Sequence, residues 1–273
     1  MRIAENNLSN TEMLKAVQEI EAECGGKLCF ALRDLGSGQY LHYRAEEKCK
    51  TASVIKFPML VHIALSVHEG PMSWDETFTL TDGEKVSGSG VLTHLTEGLT
   101  LTLRDVCVLM TIVSDNTATN MLVERLGVTA FNERARSFGL QVTTLFRKTF
   151  HEDTPESAPY GLGVTTAGEM CKLMSLVSSR AADGDAAGKE ILDIMKAQVY
   201  RDCIPRCLPA DWIYAGKTGS VDAVRNDAGL VTAPDGRRFA LAAFCQDLPL
   251  VLWTADNPGT LAIARLAKLL LAP

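Results

Sequence analysis

The stretch Thr51-Ala52-Ser53-Val54-Ile55-Lys56-Phe57-Pro58 carries a serine and a lysine three residues apart at the mouth of an apolar segment. In a helix that spacing puts both side chains on one face, where they are expected to touch. A serine hydroxyl attacks an acyl carbon only when a neighbouring base takes its proton. A lysine desolvated by apolar neighbours has a lowered pKa, which makes its neutral amine accessible. The pair suits covalent acyl transfer, and the free N–H groups of the helix start would face an oxyanion forming on an acyl group at Ser53. A plainer reading is a capping serine beside a lysine whose stem lies along apolar surface. Pro58, taken as interior to a helix over 53–69, predicts a kink.

Two further clusters are candidates for the same chemistry. Ser114-Asp115-Asn116 separates two apolar helices. All three residue types cap helices well, yet Ser114 can also relay a proton near Lys56, and the Asn116 amide can hold a substrate carbonyl or amide. Lys217-Thr218-Gly219-Ser220 follows a strand-like run. It reads either as a strand-end turn or as an anion site, with Lys217 and Thr218 as binders and Gly219 allowing a ligand backbone to approach. Arg225 lies just beyond. Strand alternation would return its guanidinium toward Lys217, where it offers a bidentate fork for a carboxylate, the alternative being an exposed strand arginine.

Strand-like segments that could carry these residues gather at both ends of the chain: Leu28–Leu35, Gln39–Tyr43, Trp212–Lys217, Ala228–Ala233 and Arg238–Phe244. Gly36-Ser37-Gly38 and Pro234-Asp235-Gly236 are turn signals, which imply hairpins and antiparallel pairing. Helical patterning fills the middle, at Ser53–Glu69, Leu103–Val113, Thr117–Leu126, Ala130–Phe138, Thr165–Ser179 and Ala187–Tyr200, with terminal helices at Thr11–Glu23 and Thr260–Leu271. The expected fold class is α+β: one antiparallel sheet flanked by terminal helices, plus a helical lobe. The expectation is a single domain over residues 1–273, with an α/β lobe at about 1–48 and 205–273 and a helical lobe at about 49–204. The two stretches without periodicity, Thr81–Gly98 and Leu145–Val164, are long enough to be functional loops.

Composition narrows the function. The chain has 273 residues, 47% apolar and 22% charged, which excludes fibrous and disordered classes and leaves a compact core. A net charge of −6 without a basic stripe speaks against nucleic acid as partner. The longest apolar runs fall far short of the ~20 residues of a membrane span. Met1–Asn7 lacks the apolar core of a leader, so the expected location is cytoplasmic, the alternative being an exported protein whose leader has been removed. The eight cysteines read as reduced core thiols. Cys203 and Cys207 have no second pair at zinc spacing, so no metal is expected; the accompanying expectations are no cofactor, a small-molecule substrate as partner and a monomer.

Ser-x-x-Lys, Ser-Asp-Asn and Lys-Thr-Gly each occur once and in this order, and together the chain resembles class A β-lactamases and penicillin-binding proteins. Leu99–Asp105, Asn120–Gly127 and Arg225–Gly229 extend the resemblance, which runs from about Leu28 to the C-terminus. It implies the two-lobed serine β-lactamase and transpeptidase-like fold. Ser53 would be the acylated nucleophile, Lys56 its base or proton shuttle, Ser114 a relay and Asn116 a substrate-amide ligand. Lys217 and Thr218 would bind the substrate carboxylate, and the N–H groups of Ser53 and Ser220 would form the oxyanion hole.

One feature departs from the family. Class A β-lactamases carry a glutamate two residues beyond an arginine in the loop after Ser-Asp-Asn, and it activates the hydrolytic water. Here Thr149 stands two residues beyond Arg147, with Glu152, Asp153 and Glu156 as nearby substitutes. The expectation is a β-lactamase-like serine hydrolase with impaired deacylation. The alternatives are an esterase or peptidase on the same fold, or a non-hydrolytic module that binds penicillins or cell-wall fragments.

Overall fold

The computed structural model describes residues 10–271. Met1–Asn7, where a leader was sought, lie outside them. The strands are β1 (Lys27–Asp34), β2 (Tyr40–Tyr43), β3 (Cys49–Lys50), β4 (Thr77–Thr79), β5 (Thr100–Thr102), β6 (Thr144–Leu145), β7 (Gly163–Thr165), β8 (Ile213–Val221), β9 (Val224–Thr232) and β10 (Arg238–Gln246). The helices are α1 (Asn10–Cys24), α2 (Lys56–Glu69), α3 (Leu103–Ile112), α4 (Asn116–Leu126), α5 (Val128–Ser137), α6 (Ala167–Ala182), α7 (Ala186–Lys196) and α8 (Pro258–Leu271).

Five strands form one sheet in the order β2-β1-β10-β9-β8, and every pairing between neighbours is antiparallel. The N-terminal hairpin and the C-terminal meander thus meet at the β1–β10 seam, where Lys27 faces Gln246 and Asp34 faces Phe239. Alternation along these strands splits the core in two. Leu28, Phe30 and Leu32 of β1, with Phe239, Leu241 and Ala243 of β10, pack on the face covered by α1 and α8. Cys29 and Ala31, with Ala240, Ala242 and Phe244, turn to the opposite face, toward α6 and the remaining helices. Each large apolar side chain buried this way stabilises the fold by about 1.5–3 kcal/mol. The α+β architecture expected from the sequence is the one observed, with short ladders β3-β7-β6 and β4-β5 inside the irregular stretches.

Two local expectations are corrected. The segment from Ala52 to Ile55 is a 3₁₀ turn, and α2 begins at Lys56. Pro58 therefore lies in the first turn of α2, where its missing N–H would have had no helical partner, and the predicted kink loses its cause. Lys217-Thr218-Gly219-Ser220 does not end a strand. β8 continues to Val221, so Lys217 pairs with Ala228, Gly219 with Asn226 and Ser220 with Arg225.

Among the described residues, no helix is long and apolar enough to cross a membrane, and no group of three or more His, Cys, Asp or Glu is arranged to hold a metal. All eight cysteines are free, seven of them buried.

Candidate active site

Ser53 sits half-buried on the 3₁₀ turn. The turn is pinned from several sides. Thr51 N–H and its hydroxyl donate to Gly163 O (2.9 and 3.1 Å), Val54 N–H donates to Thr51 O (3.0 Å), and the Asn226 amide of β9 donates to Lys50 O and Thr51 O (2.8 and 3.1 Å). These bonds hold Ala52, the residue before Ser53, at φ +43°, a left-handed conformation that a side chain makes unfavourable. Gly219 of β8 packs directly on the same turn. A Cβ there would lie 2.8 Å from Thr51 O and 2.9 Å from the backbone nitrogens of Ser53 and Val54. Gly219 is needed so that the turn's own backbone can approach β8.

Lys56 is completely buried at the start of α2. Its Nζ donates to Ser114 O (2.8 Å), Ser114 Oγ (3.2 Å) and Asn116 Oδ1 (3.0 Å). The three-residue spacing predicts that Lys56 and Ser53 touch; among the described residues no hydrogen bond joins them, and the Lys56 Nζ is taken up by the Ser114–Asn116 corner. Burial, reinforced by the nearby Lys217 charge, holds Lys56 well below the usual lysine range. Ser114 itself sits at φ +56° between α3 and α4.

The corner is organised by Asp115. Its carboxylate caps α4 through Ala118 N–H (2.9 Å) and accepts from Val91 and Leu92 N–H (2.6 and 2.8 Å), which ties the 81–98 loop to α4. Capping, one of the two readings of the triplet, is thus the work of Asp115, leaving Ser114 and Asn116 to face Lys56. Asn116 Nδ2 also donates to Ser87 O (3.1 Å).

On β8 Lys217 is completely buried, and its Nζ donates to Thr218 O (2.7 Å). Burial pushes Lys217 down to about 7, opposed by the carboxylate of Asp227. Asp227 accepts from Tyr214 OH and from Ile204 N–H (3.0 Å), and burial pushes it up to about 6. Arg225 is buried as well. Its guanidinium donates to the carbonyls of Asp222 (3.0 Å), Val224 (2.6 Å) and Leu252, and lies 4.9 Å from the ring centroid of Trp253.

A cavity of about 230 Å³ collects Ser53, Ser114, Thr218, Ser220 and Arg225 along its walls. Ser89, Tyr200, Asp202, Trp253 and Thr254 also line it. Sequence reasoning missed this second group because it lies on connecting segments with no local motif, and only the folding of distant segments brings it to the cavity. The cavity thus brings the Ser53 hydroxyl together with Ser114, Thr218, Ser220 and the Arg225 guanidinium, and Lys56, a buried amine of lowered basicity, bonds to Ser114.

The 145–164 segment contributes no carboxylate to the cavity among the described residues. Asp153 is taken by Arg147 (2.8 Å) and Ser157 (2.9 Å), while Glu152 and Glu156 are exposed. Thr149 is bound to Asn120 of α4 through its backbone, and its buried hydroxyl has no hydrogen-bond partner.

The model of the Beta-lactamase enzyme family matches residues 12–272. This chain belongs to the β-lactamase enzyme family. A β-lactamase of Streptomyces lavendulae is 28% identical over 278 residues, covering 96% of this chain and 86% of that protein. The crystal structure of a β-lactamase from Sphaerobacter thermophilus superposes with a TM-score of 0.85 at 27% identity, covering 96% of each chain. A mutant of PBP-A, in an acyl-enzyme complex with penicillin G, superposes with a TM-score of 0.83 at 26% identity over 96% of each chain. The protein is accordingly a class A β-lactamase-like serine hydrolase, and its family implies a small β-lactam as substrate.

Proposed function

We propose that this β-lactamase-like enzyme is acylated on Ser53 by β-lactams and hydrolyses the acyl-enzyme slowly. In acylation, Ser53 Oγ attacks the lactam carbonyl and its proton passes to the neutral amine of Lys56. The tetrahedral oxyanion is stabilised by the N–H groups of Ser53 and Ser220. Ser114, 3.2 Å from Lys56 Nζ, relays the proton onward to the departing lactam nitrogen. Asn116 holds the acyl-side amide. Thr218, with the buried charge of Lys217 behind it and Arg225 beside it, takes the substrate carboxylate, and Gly219 keeps the Ser53 turn against β8.

One observation carries the slow second step. Hydrolysis needs a base that deprotonates a water against the ester carbonyl, and among the described residues no carboxylate of the 145–164 segment reaches the cavity of Ser53. Thr149 occupies the position two residues beyond Arg147 and has no carboxylate to offer.

The test is the intact mass of the protein after mixing with a fluorescent penicillin. A stoichiometric adduct that persists for minutes and is lost in Ser53→Ala supports the reading. Labelling that survives Ser53→Ala removes the nucleophile assignment. Rapid nitrocefin turnover without a detectable adduct removes the slow step. No adduct and no turnover would leave a binding module.

A further inference from the structure

Asp202 lines the cavity yet has no part in the acyl-transfer scheme. Its side chain is exposed and forms neither an ion pair nor a hydrogen bond among the described residues. The nearby cations are engaged elsewhere: Arg201 lies over the Tyr214 ring at 5.8 Å, and Arg206 pairs with Asp256 at 3.0 Å. Arg225, in the same cavity, is bound among the described residues by carbonyl oxygens and by the Trp253 ring and forms no ion pair there. Among the described residues the cavity therefore holds a cation and an anion, Arg225 and Asp202, that form no ion pair with each other.

Two aromatic residues, Tyr200 and Trp253, line the same cavity. Tyr200 is anchored by its hydroxyl to Val113 O (3.4 Å), next to Ser114, and Trp253 is 64% exposed with Arg225 lying over its ring. Aromatic faces attract cations through their quadrupole. A carboxylate that shares a cavity with two aromatic residues is a recognition element for a substituent bearing positive charge.

We propose that the cavity selects zwitterionic acyl donors. The carboxylate of the substrate goes to Arg225 and Thr218, and a cationic substituent on the adjoining ring carbon goes to Asp202 in the cavity that Tyr200 and Trp253 also line. The ligand class is a fused-ring β-lactam whose substituent next to the carboxylate carries a quaternary ammonium or pyridinium group. This inference rests on the reading of Ser53 as the acylated nucleophile.

The test compares two cephalosporins with the same acyl side chain, one carrying a pyridinium on the 3-methylene and the other an acetoxy group. The readout is the ratio of their second-order rate constants for acylating Ser53, followed by intact mass, so that intrinsic reactivity cancels between enzyme variants. Asp202→Asn is expected to lower the preference for the pyridinium compound about threefold to fivefold, the range of one exposed charge pair. Asp202→Lys is expected to lower it further, and added salt to shrink the difference between wild type and variant. An unchanged ratio in both variants overturns the inference while leaving the Ser53 reading intact. An Asp202→Asn change confined to the decay of the adduct assigns Asp202 to hydrolysis and overturns it too. If neither compound acylates Ser53, the underlying reading fails and the inference with it.

Discussion

Thr149 and Asn120 are joined by two reciprocal hydrogen bonds: Thr149 N–H donates to Asn120 Oδ1 at 2.7 Å, and Asn120 Nδ2 donates to Thr149 O at 3.1 Å. The side-chain amide of Asn120, one helical turn beyond Asn116 on α4, thus fixes the backbone of residue 149 without using its side chain. Any residue with a backbone N–H can make both bonds.

This clamp makes the missing base testable. Thr149→Glu keeps both backbone bonds and adds a carboxylate in place of a buried hydroxyl that has no partner. General-base assistance is worth roughly 10²–10⁴-fold, and an unoptimised carboxylate supplies the low end. The penicillin adduct on Ser53 is expected to decay at least ~10-fold faster in Thr149→Glu, measured by intact mass after removal of free drug. An adduct of unchanged lifetime would show that the clamp does not aim residue 149 at the ester.

Gly219→Ala tests the fit between β8 and the Ser53 turn. The added Cβ meets three backbone atoms at 2.8–2.9 Å, none of which can swing aside like a flexible side chain. The turn must move away from β8, separating the N–H groups of Ser53 and Ser220. Loss of one oxyanion donor costs roughly 10²–10³-fold, so acylation by penicillin is expected to fall by about that factor in stopped-flow labelling. Acylation within about twofold of wild type would show that the two donors need no such alignment.

Lys217 predicts a pH dependence. Burial lowers its pKa to about 7, so the free enzyme carries this ammonium below pH 7 and loses it above. The second-order acylation constant, which reports the free enzyme, is expected to fall as pH rises through about 7 for a β-lactam with a free carboxylate. The methyl ester of the same compound has no anion for Lys217 to attract and should lack this limb. Parallel profiles for acid and ester would mean that Lys217 does not contribute charge to substrate binding.

His62 of α2 predicts a stability change of the opposite origin. Its Nδ1 is buried without a partner, and burial together with the Arg134 charge lowers its pKa from 6.5 to about 4. Between those values the unfolded chain binds a proton that the folded chain does not, so stability is present above pH 6.5 and is lost as pH falls toward 4. The melting temperature of the wild type is expected to drop between pH 7 and 5, and in His62→Gln that drop should shrink. Identical slopes in the two proteins would assign the acid sensitivity to other groups.

The elements and the identities of the reacting groups were legible in the unfolded chain. The short strand-like apolar runs of β1 and β10, with the turn signals beside them, and the helical runs around α3 to α8 are properties carried by each segment alone. Ser53, Lys56, Ser114, Asn116 and Lys217 stood out because three short motifs occur in a set order. The relations among them came from packing. Lys56 bonds to Ser114 and Asn116 rather than to Ser53, because α3 and α4 bring a corner of carbonyl, hydroxyl and amide oxygens to its ammonium. Gly219 serves the approach of one backbone to another, since the β8–β9 pairing carries it against the Ser53 turn. Glu152, Asp153 and Glu156 lie close to Thr149 in sequence, yet solvent exposure and the Arg147 pair keep them from the cavity. Tyr200, Asp202 and Trp253 come from two segments some 50 residues apart that no local pattern connects. Desolvation and charge proximity exist only once the chain has folded, so the lowered basicity of Lys56 and Lys217 belongs to the assembled structure.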